Sequence, residues 1–104
     1  MPKIPRSLFD SFERNFTKSK TGKGLQGLNN VGSLFGPPIA AEQAASVHEE
    51  DAIRKLLSDN RAQLARFERY MLCLTIAHDP HKGFDYARTP ALREASEIAS
   101  ELRS

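Results

Sequence analysis

Two histidines and an aspartate near the end of the chain are residue types that bind metal ions. His78, Asp79 and His81 lie within four positions of one another, and Asp85 or His48 has the right chemistry to complete a zinc site. Their spacing matches no strong ligand signature. His78 is explained more simply as a cation favoured by the negative C-terminal end of a helix. We therefore predict no metal site.

A glycine-rich run in the first third of the chain has the residue types of a phosphate-binding loop. Gly22, Gly24 and Gly27 match the pattern G-x-G-x-x-G, which places a dinucleotide's pyrophosphate at a helix N-terminus when a strand precedes the pattern and a helix follows. Here a phenylalanine-faced helical segment precedes the glycines. The chain of 104 residues is also too short for a doubly wound sheet, so we predict no bound dinucleotide.

The lone cysteine is the remaining candidate for chemistry. Cys73 lies in an apolar stretch, where a thiol usually packs as a small core residue. Neither this thiol nor any serine has an evident histidine partner, so the sequence does not support nucleophilic catalysis. We predict that the protein is not an enzyme and has no catalytic residue and no cofactor.

The strongest pattern in the chain is an amphipathic helix predicted over residues 46–77, starting near Ile39 or near Val47 and ending before Pro80. Apolar residues recur at alternating spacings of four and three, a seam that packs against another helix. The seam consists of Ile53, Leu57, Asn60, Leu64, Phe67, Met71 and Leu74. Because it stays in phase through residues 58–60, we predict an unbroken helix in which Asn60 sets the register.

A shorter helix is predicted at the C-terminal end. Thr89 suits its N-cap and Pro90 its first turn. An irregular loop over residues 78–88 would allow the two helices to fold back as an αα-hairpin. The predicted fold class is therefore all-α, with a long amphipathic helix and a short C-terminal helix in a body spanning residues 39–104.

Residues 1–38 are predicted to form a basic, mostly irregular arm. Six of its residues are basic and two are acidic. One short helix of about ten residues carries three phenylalanines on one face, namely Phe9, Phe12 and Phe16. Over residues 19–38 the apolar residues recur every three positions between glycines, which is the periodicity of neither a helix nor a strand. We expect this stretch to be extended and to order on another surface through Leu25, Leu28 and Leu34.

The phenylalanine face has two interpretations. It can pack into the chain's own core, or it can dock as a short helix into a partner's groove. The second interpretation, with the unsupported apolar arm, predicts a non-enzymatic structural or accessory subunit that holds neighbouring chains in a multi-protein assembly. The predicted interaction residues are Phe9, Phe12, Phe16, Leu25, Leu28, Leu34, Leu57, Leu64, Phe67, Met71 and Leu74.

Two alternatives remain open from the sequence. The seam also suits a self-associating coiled-coil adaptor. The basic arm also suits weak contact with nucleic acid or anionic lipid, through Arg14, Lys18, Lys20 and Lys23. The longest apolar run is too short to span a bilayer, so no transmembrane segment is predicted. The expected location is intracellular, in an organelle such as the mitochondrion or in a virion.

Overall fold

The chain folds into helices whose ends are set by capping and turn residues. The computed structural model describes residues 3–20, 41–79 and 81–104. Over these ranges it contains four helices, which are α1 (Arg6–Lys20), α2 (Ala41–Leu56), α3 (Arg61–Ala77) and α4 (Asp85–Leu102), with a 3-10 turn at Lys82–Phe84. No strand occurs within those ranges, so the all-α class is confirmed there. No helix in the described ranges is long and apolar enough to cross a membrane.

The predicted unbroken helix over residues 46–77 is wrong, because the chain turns between α2 and α3. Asn60 has extended backbone angles, with φ of −128° and ψ of 94°, and its side chain accepts a hydrogen bond from the Gln63 backbone N–H. The Ser58 hydroxyl donates to the Lys55 carbonyl at 2.9 Å. Such short polar side chains compete with helical hydrogen bonds and favour caps. Asn60 therefore starts a new helix and does not set the register of a seam.

The start of α2 agrees with the earlier of the two predicted positions. The described part of the helix begins at Ala41, so Ser46 lies inside it and donates to the Gln43 carbonyl at 2.9 Å. Glu49 is directed across to α1, where it accepts a hydrogen bond from the Asn15 amide at 2.9 Å and another from the Ser11 hydroxyl. These bonds join α1 to α2 at Glu49.

The last helix begins earlier than predicted, at Asp85 and not at Thr89. Pro90 lies inside α4 and deprives the Tyr86 carbonyl of its helical donor. The early start follows from Arg88, which pairs with Asp85 and donates to the carbonyls of residues 79 and 81. This guanidinium satisfies backbone acceptors in the loop and holds the first turn of α4 against it.

Helices α3 and α4 pack antiparallel. Arg66 pairs with Glu101 at 3.0 Å and Arg69 pairs with Glu94 at 2.5 Å, so residue numbers run in opposite directions along the pair. Between these ion pairs the buried face of α4 is rich in small residues, which allows the helices to approach closely. The buried residues of α4 are Ala91, Ala95, Ile98, Ala99 and Leu102.

One hydrophobic core connects all four helices. Aromatic rings form its centre: the Phe12 ring lies 5.3 Å from Phe67 and 5.2 Å from Phe16, and the Phe9 ring lies 5.0 Å from Tyr70. Tilted rings at these separations stabilise beyond the area they bury. The core therefore depends on α1 contributing its aromatic face to α3.

The two ends of the described chain meet beside this core. Ile4 forms a parallel β-bridge with Arg103: its N–H donates to the Leu102 carbonyl at 2.9 Å, and its carbonyl accepts from the Ser104 N–H at 3.0 Å. The Ile4 side chain is fully buried. The segment that precedes α1 is thus anchored to the end of α4.

Candidate interaction groove

A groove bounded by three helices brings several polar side chains together among the described residues. It encloses about 230 Å³ between α1 and α4, with α3 as its floor. We call it the α1–α4 groove, and its lining residues are Glu13, Tyr70, Leu74, Leu92, Ala95, Ser96, Ala99 and Arg103. Its position follows from the packing, because α1 and α4 both contact α3.

A hydrogen bond lies at the floor of the α1–α4 groove. The Tyr70 side chain is only 1% exposed, and its hydroxyl donates to the Glu13 carboxylate. Burial, and then the Glu13 carboxylate, raise the pKa of Tyr70 well above its ordinary value. The phenol therefore stays protonated and remains a donor to Glu13 over the whole neutral range.

Arg103 stands at one end of the groove and is already engaged. Its guanidinium pairs with Asp10 at 3.0 Å and lies 6.0 Å from the centre of the Phe9 ring, which is cation–π distance. Asp10 is thus the carboxylate that neutralises Arg103. Glu13, one turn further along α1, forms no ion pair among the described residues.

Replacing Tyr70 with phenylalanine should produce a pH-dependent loss of stability. At about pH 8 the free energy of unfolding should fall by about 1–2 kcal/mol, because Glu13 loses its donor. The unfolded chain loses the tyrosine proton near pH 10, whereas the folded chain retains it. The stabilisation from this group is therefore fully present below about pH 10 and declines as the pH rises above that value. The difference in free energy of unfolding between wild type and variant should be smaller at about pH 11 than at about pH 8.

Urea denaturation followed by circular dichroism at both pH values measures this gap. Tyr86→Phe is the matched control, since Tyr86 is 81% exposed and its replacement should change the free energy of unfolding by no more than about 0.5 kcal/mol. A gap that is the same at both pH values would show that Tyr70 does not hold its proton through folding.

Two further clefts lie along the pairing of α3 with α4. One, of about 180 Å³, contains Arg69, Cys73 and Glu94, and the other, of about 320 Å³, contains Lys3 and Arg66 with Glu101. Burial raises the pKa of the Cys73 thiol, which disfavours the nucleophilic thiolate. Small-molecule sites usually enclose about 300–1,000 Å³, so the α1–α4 groove and the cleft at Cys73 lie below this range, and the cleft at Lys3 is at its lower limit.

The structure places most of the predicted interaction residues in the chain's own core. Those that are buried are Phe9, Phe12, Phe16, Leu57, Phe67 and Leu74, and those that are half-buried against the core are Leu64 and Met71. This placement supports the own-core interpretation of the phenylalanine face. An interface role for these residues stays a prediction, as it does for Leu25, Leu28 and Leu34, which lie outside the described residues together with the boundary at residue 38.

The described residues that the sequence suggested as metal or polyanion contacts lie mostly in the turn before α4 and on α1. Asp79 accepts a hydrogen bond from the His81 N–H, and the His81 ring accepts one from the Gly83 N–H, so both side chains shape the turn. Among the described residues no group of three or more His, Cys, Asp and Glu is arranged to hold a metal ion. Arg14 and Lys18 are exposed on α1, Lys20 ends that helix, and Lys23 lies outside the described residues.

Sequence reasoning did not find the polar groups of the α1–α4 groove. Glu13 and Tyr70 are 57 positions apart, and Asp10 and Arg103 are 93 apart. No local spacing connects such pairs, and in the sequence Tyr70 is simply the first residue of an apolar run. The groove becomes visible only when α1 is placed on α3.

Comparison with known proteins gives no information on the function of this chain. No protein-family model, no curated protein and no solved structure matches the chain. Functional inference therefore depends on the geometry of the described residues and on the sequence pattern.

Proposed function

We propose that this chain is a non-enzymatic structural or accessory subunit that binds neighbouring chains in a larger multi-protein assembly. The supporting observation is the α1–α4 groove, whose volume of about 230 Å³ suits a partner's side chain better than a metabolite. Leu92 lines it and is 48% exposed, so an apolar contact is available where polar groups converge. Interfaces place apolar anchors in pockets of this kind.

The body around the groove is suited to a structural role. Glu49 connects α1 to α2, and the ion pairs of Arg66 and Arg69 connect α3 to α4. Partners that bind a preorganised surface lose less conformational entropy on association. The assembly we propose is intracellular, in an organelle such as the mitochondrion or in a virion, and this part of the proposal is supported by the sequence pattern alone.

A site-specific photocrosslinker tests the proposal. Benzoylphenylalanine replaces Leu92 in one version of the full chain and Leu72 in another, expressed in the cell of origin. Leu72 is the matched control because it is equally exposed, at 48%, but does not line the groove. We expect a discrete adduct with another protein from position 92 and none from position 72.

The other outcomes have definite meanings. Equal crosslinking from both positions, or none from position 92 in a folded chain, would contradict the proposal. An adduct of twice the chain's mass would favour the self-associating adaptor. Arg14 and Lys18 are exposed one turn apart on α1, and adducts with nucleic acid that disappear at high salt would favour polyanion binding.

A further inference from the structure

The Glu13 carboxylate has unused hydrogen-bonding capacity where it lines the α1–α4 groove. An ionised carboxylate accepts about four hydrogen bonds, and among the described residues Glu13 accepts one, from Tyr70. Glu49, a comparable half-buried carboxylate, receives donors from both Ser11 and Asn15. Glu13 is therefore positioned to accept further donors from a molecule in the groove.

The charge balance of the groove favours a cationic occupant. Arg103 is the cation that lines it, and this guanidinium is neutralised by Asp10 and lies against the Phe9 ring. The negative charge of Glu13 is left without an ion-pair partner among the described residues. An anion would meet this carboxylate at close range, which costs free energy, whereas a cation would pair with it.

The apolar lining selects among cations. Leu92, which is 48% exposed, provides the accessible apolar surface beside Glu13, whereas Leu74, Ala95 and Ala99 border the groove and are largely buried. A compact, hydrated metal ion gains nothing from such a surface. Lysine and arginine side chains do, because they bury their methylene stems on apolar surface while their charged heads reach polar groups.

We propose that the α1–α4 groove binds a basic side chain of a partner protein, with its ammonium or guanidinium group on Glu13 and its methylenes against Leu92. The Tyr70 hydroxyl, which donates to the Glu13 carboxylate at the floor of the groove, orients that carboxylate. This inference rests on the proposed function, since it names the partner chemistry recognised by the same groove.

Nuclear magnetic resonance titration of the ¹⁵N-labelled full chain tests the inference with defined probes. N-acetyl-lysine methylamide and N-acetyl-arginine methylamide carry the two head groups, and N-acetyl-norleucine methylamide has the apolar stem without a charge. The charged probes should bind with millimolar Kd and shift the amide signals of Glu13, Tyr70, Ala95 and Ala99. The norleucine probe should bind about tenfold more weakly, because it lacks the charged hydrogen bond.

Two variants keep the result specific. Glu13→Gln retains an acceptor for Tyr70 but removes the charge, and it should weaken the charged probes about tenfold. Glu97→Gln makes the same change in net charge at an exposed position of α4 outside the groove, and it should leave binding unchanged. The spectra of both variants also report whether they are folded.

The inference is overturned if the charged probes produce no saturable shifts with the wild-type chain. It is also overturned if the norleucine probe binds the wild type as tightly as the charged probes do, or if the charged probes bind Glu13→Gln as tightly as wild type. Its failure is separable from that of the proposed function. Crosslinking from position 92 with no lysine or arginine binding would overturn the inference alone. Charged-probe binding with no crosslinked partner would overturn the proposed function alone.

Discussion

Phe12→Ala should lower the free energy of unfolding by about 3–5 kcal/mol, the usual cost of removing a buried aromatic side chain. The Phe12 ring is fully buried and contacts the rings of Phe16 and Phe67. Its removal leaves a cavity where α1 meets α3, and the neighbouring rings cannot fill it without leaving their own contacts. In a chain of 104 residues this loss is a large part of the total stability of about 5–15 kcal/mol.

Urea denaturation monitored by circular dichroism measures the effect, with Leu72→Ala as control. Leu72 is 48% exposed, so its truncation should cost no more than about 1 kcal/mol. The sequence pattern also allowed Phe12 to be a docking anchor, which makes a different prediction. A Phe12→Ala chain that unfolds at the same urea concentration as wild type but no longer joins its assembly would support docking over core packing.

Ile4→Ala should be the second large effect, lowering the free energy of unfolding by about 2–5 kcal/mol. The Ile4 side chain is fully buried although it precedes the first helix. Loss of this contact should also loosen the two backbone hydrogen bonds that Ile4 makes to residues 102 and 104. The change thus combines a cavity with the release of the end of α4.

Amide hydrogen exchange separates the two contributions to this loss, which are the cavity and the release of the end of α4. In Ile4→Ala the amides of residues 102–104 should exchange faster than in wild type, in addition to the shift of the urea midpoint. Lys3→Ala is the control, because Lys3 is exposed and donates a single surface hydrogen bond to the Glu101 carbonyl. Its cost should stay within about 0.5 kcal/mol. An Ile4→Ala chain with wild-type exchange and midpoint would mean that the segment does not contribute to the core.

Periodicity in the sequence was sufficient to predict helices and much of the core. Leu57, Phe67 and Leu74 lie on the predicted stripe and are buried. The turn after α2 was missed because the hydrophobic pattern continues in phase through it. What ends the helix is a local bond, in which the Asn60 side chain accepts a hydrogen bond from the Gln63 backbone N–H. At such positions a continuous helix competes with a break and a new N-cap, and the hydrophobic pattern is the same for both.

The contacts that define the groove and the joined ends have no periodic signal. Ile4 lies between two prolines, where no helical or strand pattern marks it as a core residue. Glu13 and Tyr70 come together only through the packing of α1 on α3. Residues of this kind are determined by tertiary packing, which a single sequence does not reveal.

The bridge between Ile4 and the end of α4 has a consequence for biosynthesis. Lys3 and Glu101, which are joined beside it, are 98 positions apart in the sequence. Closing a loop of that length costs entropy before any contact compensates it. During synthesis the Ile4 side chain stays in solvent until residues 102–104, its backbone partners, have left the ribosome. Its burial therefore follows the formation of α1, α2 and α3, and until then an apolar side chain stays exposed to chaperones.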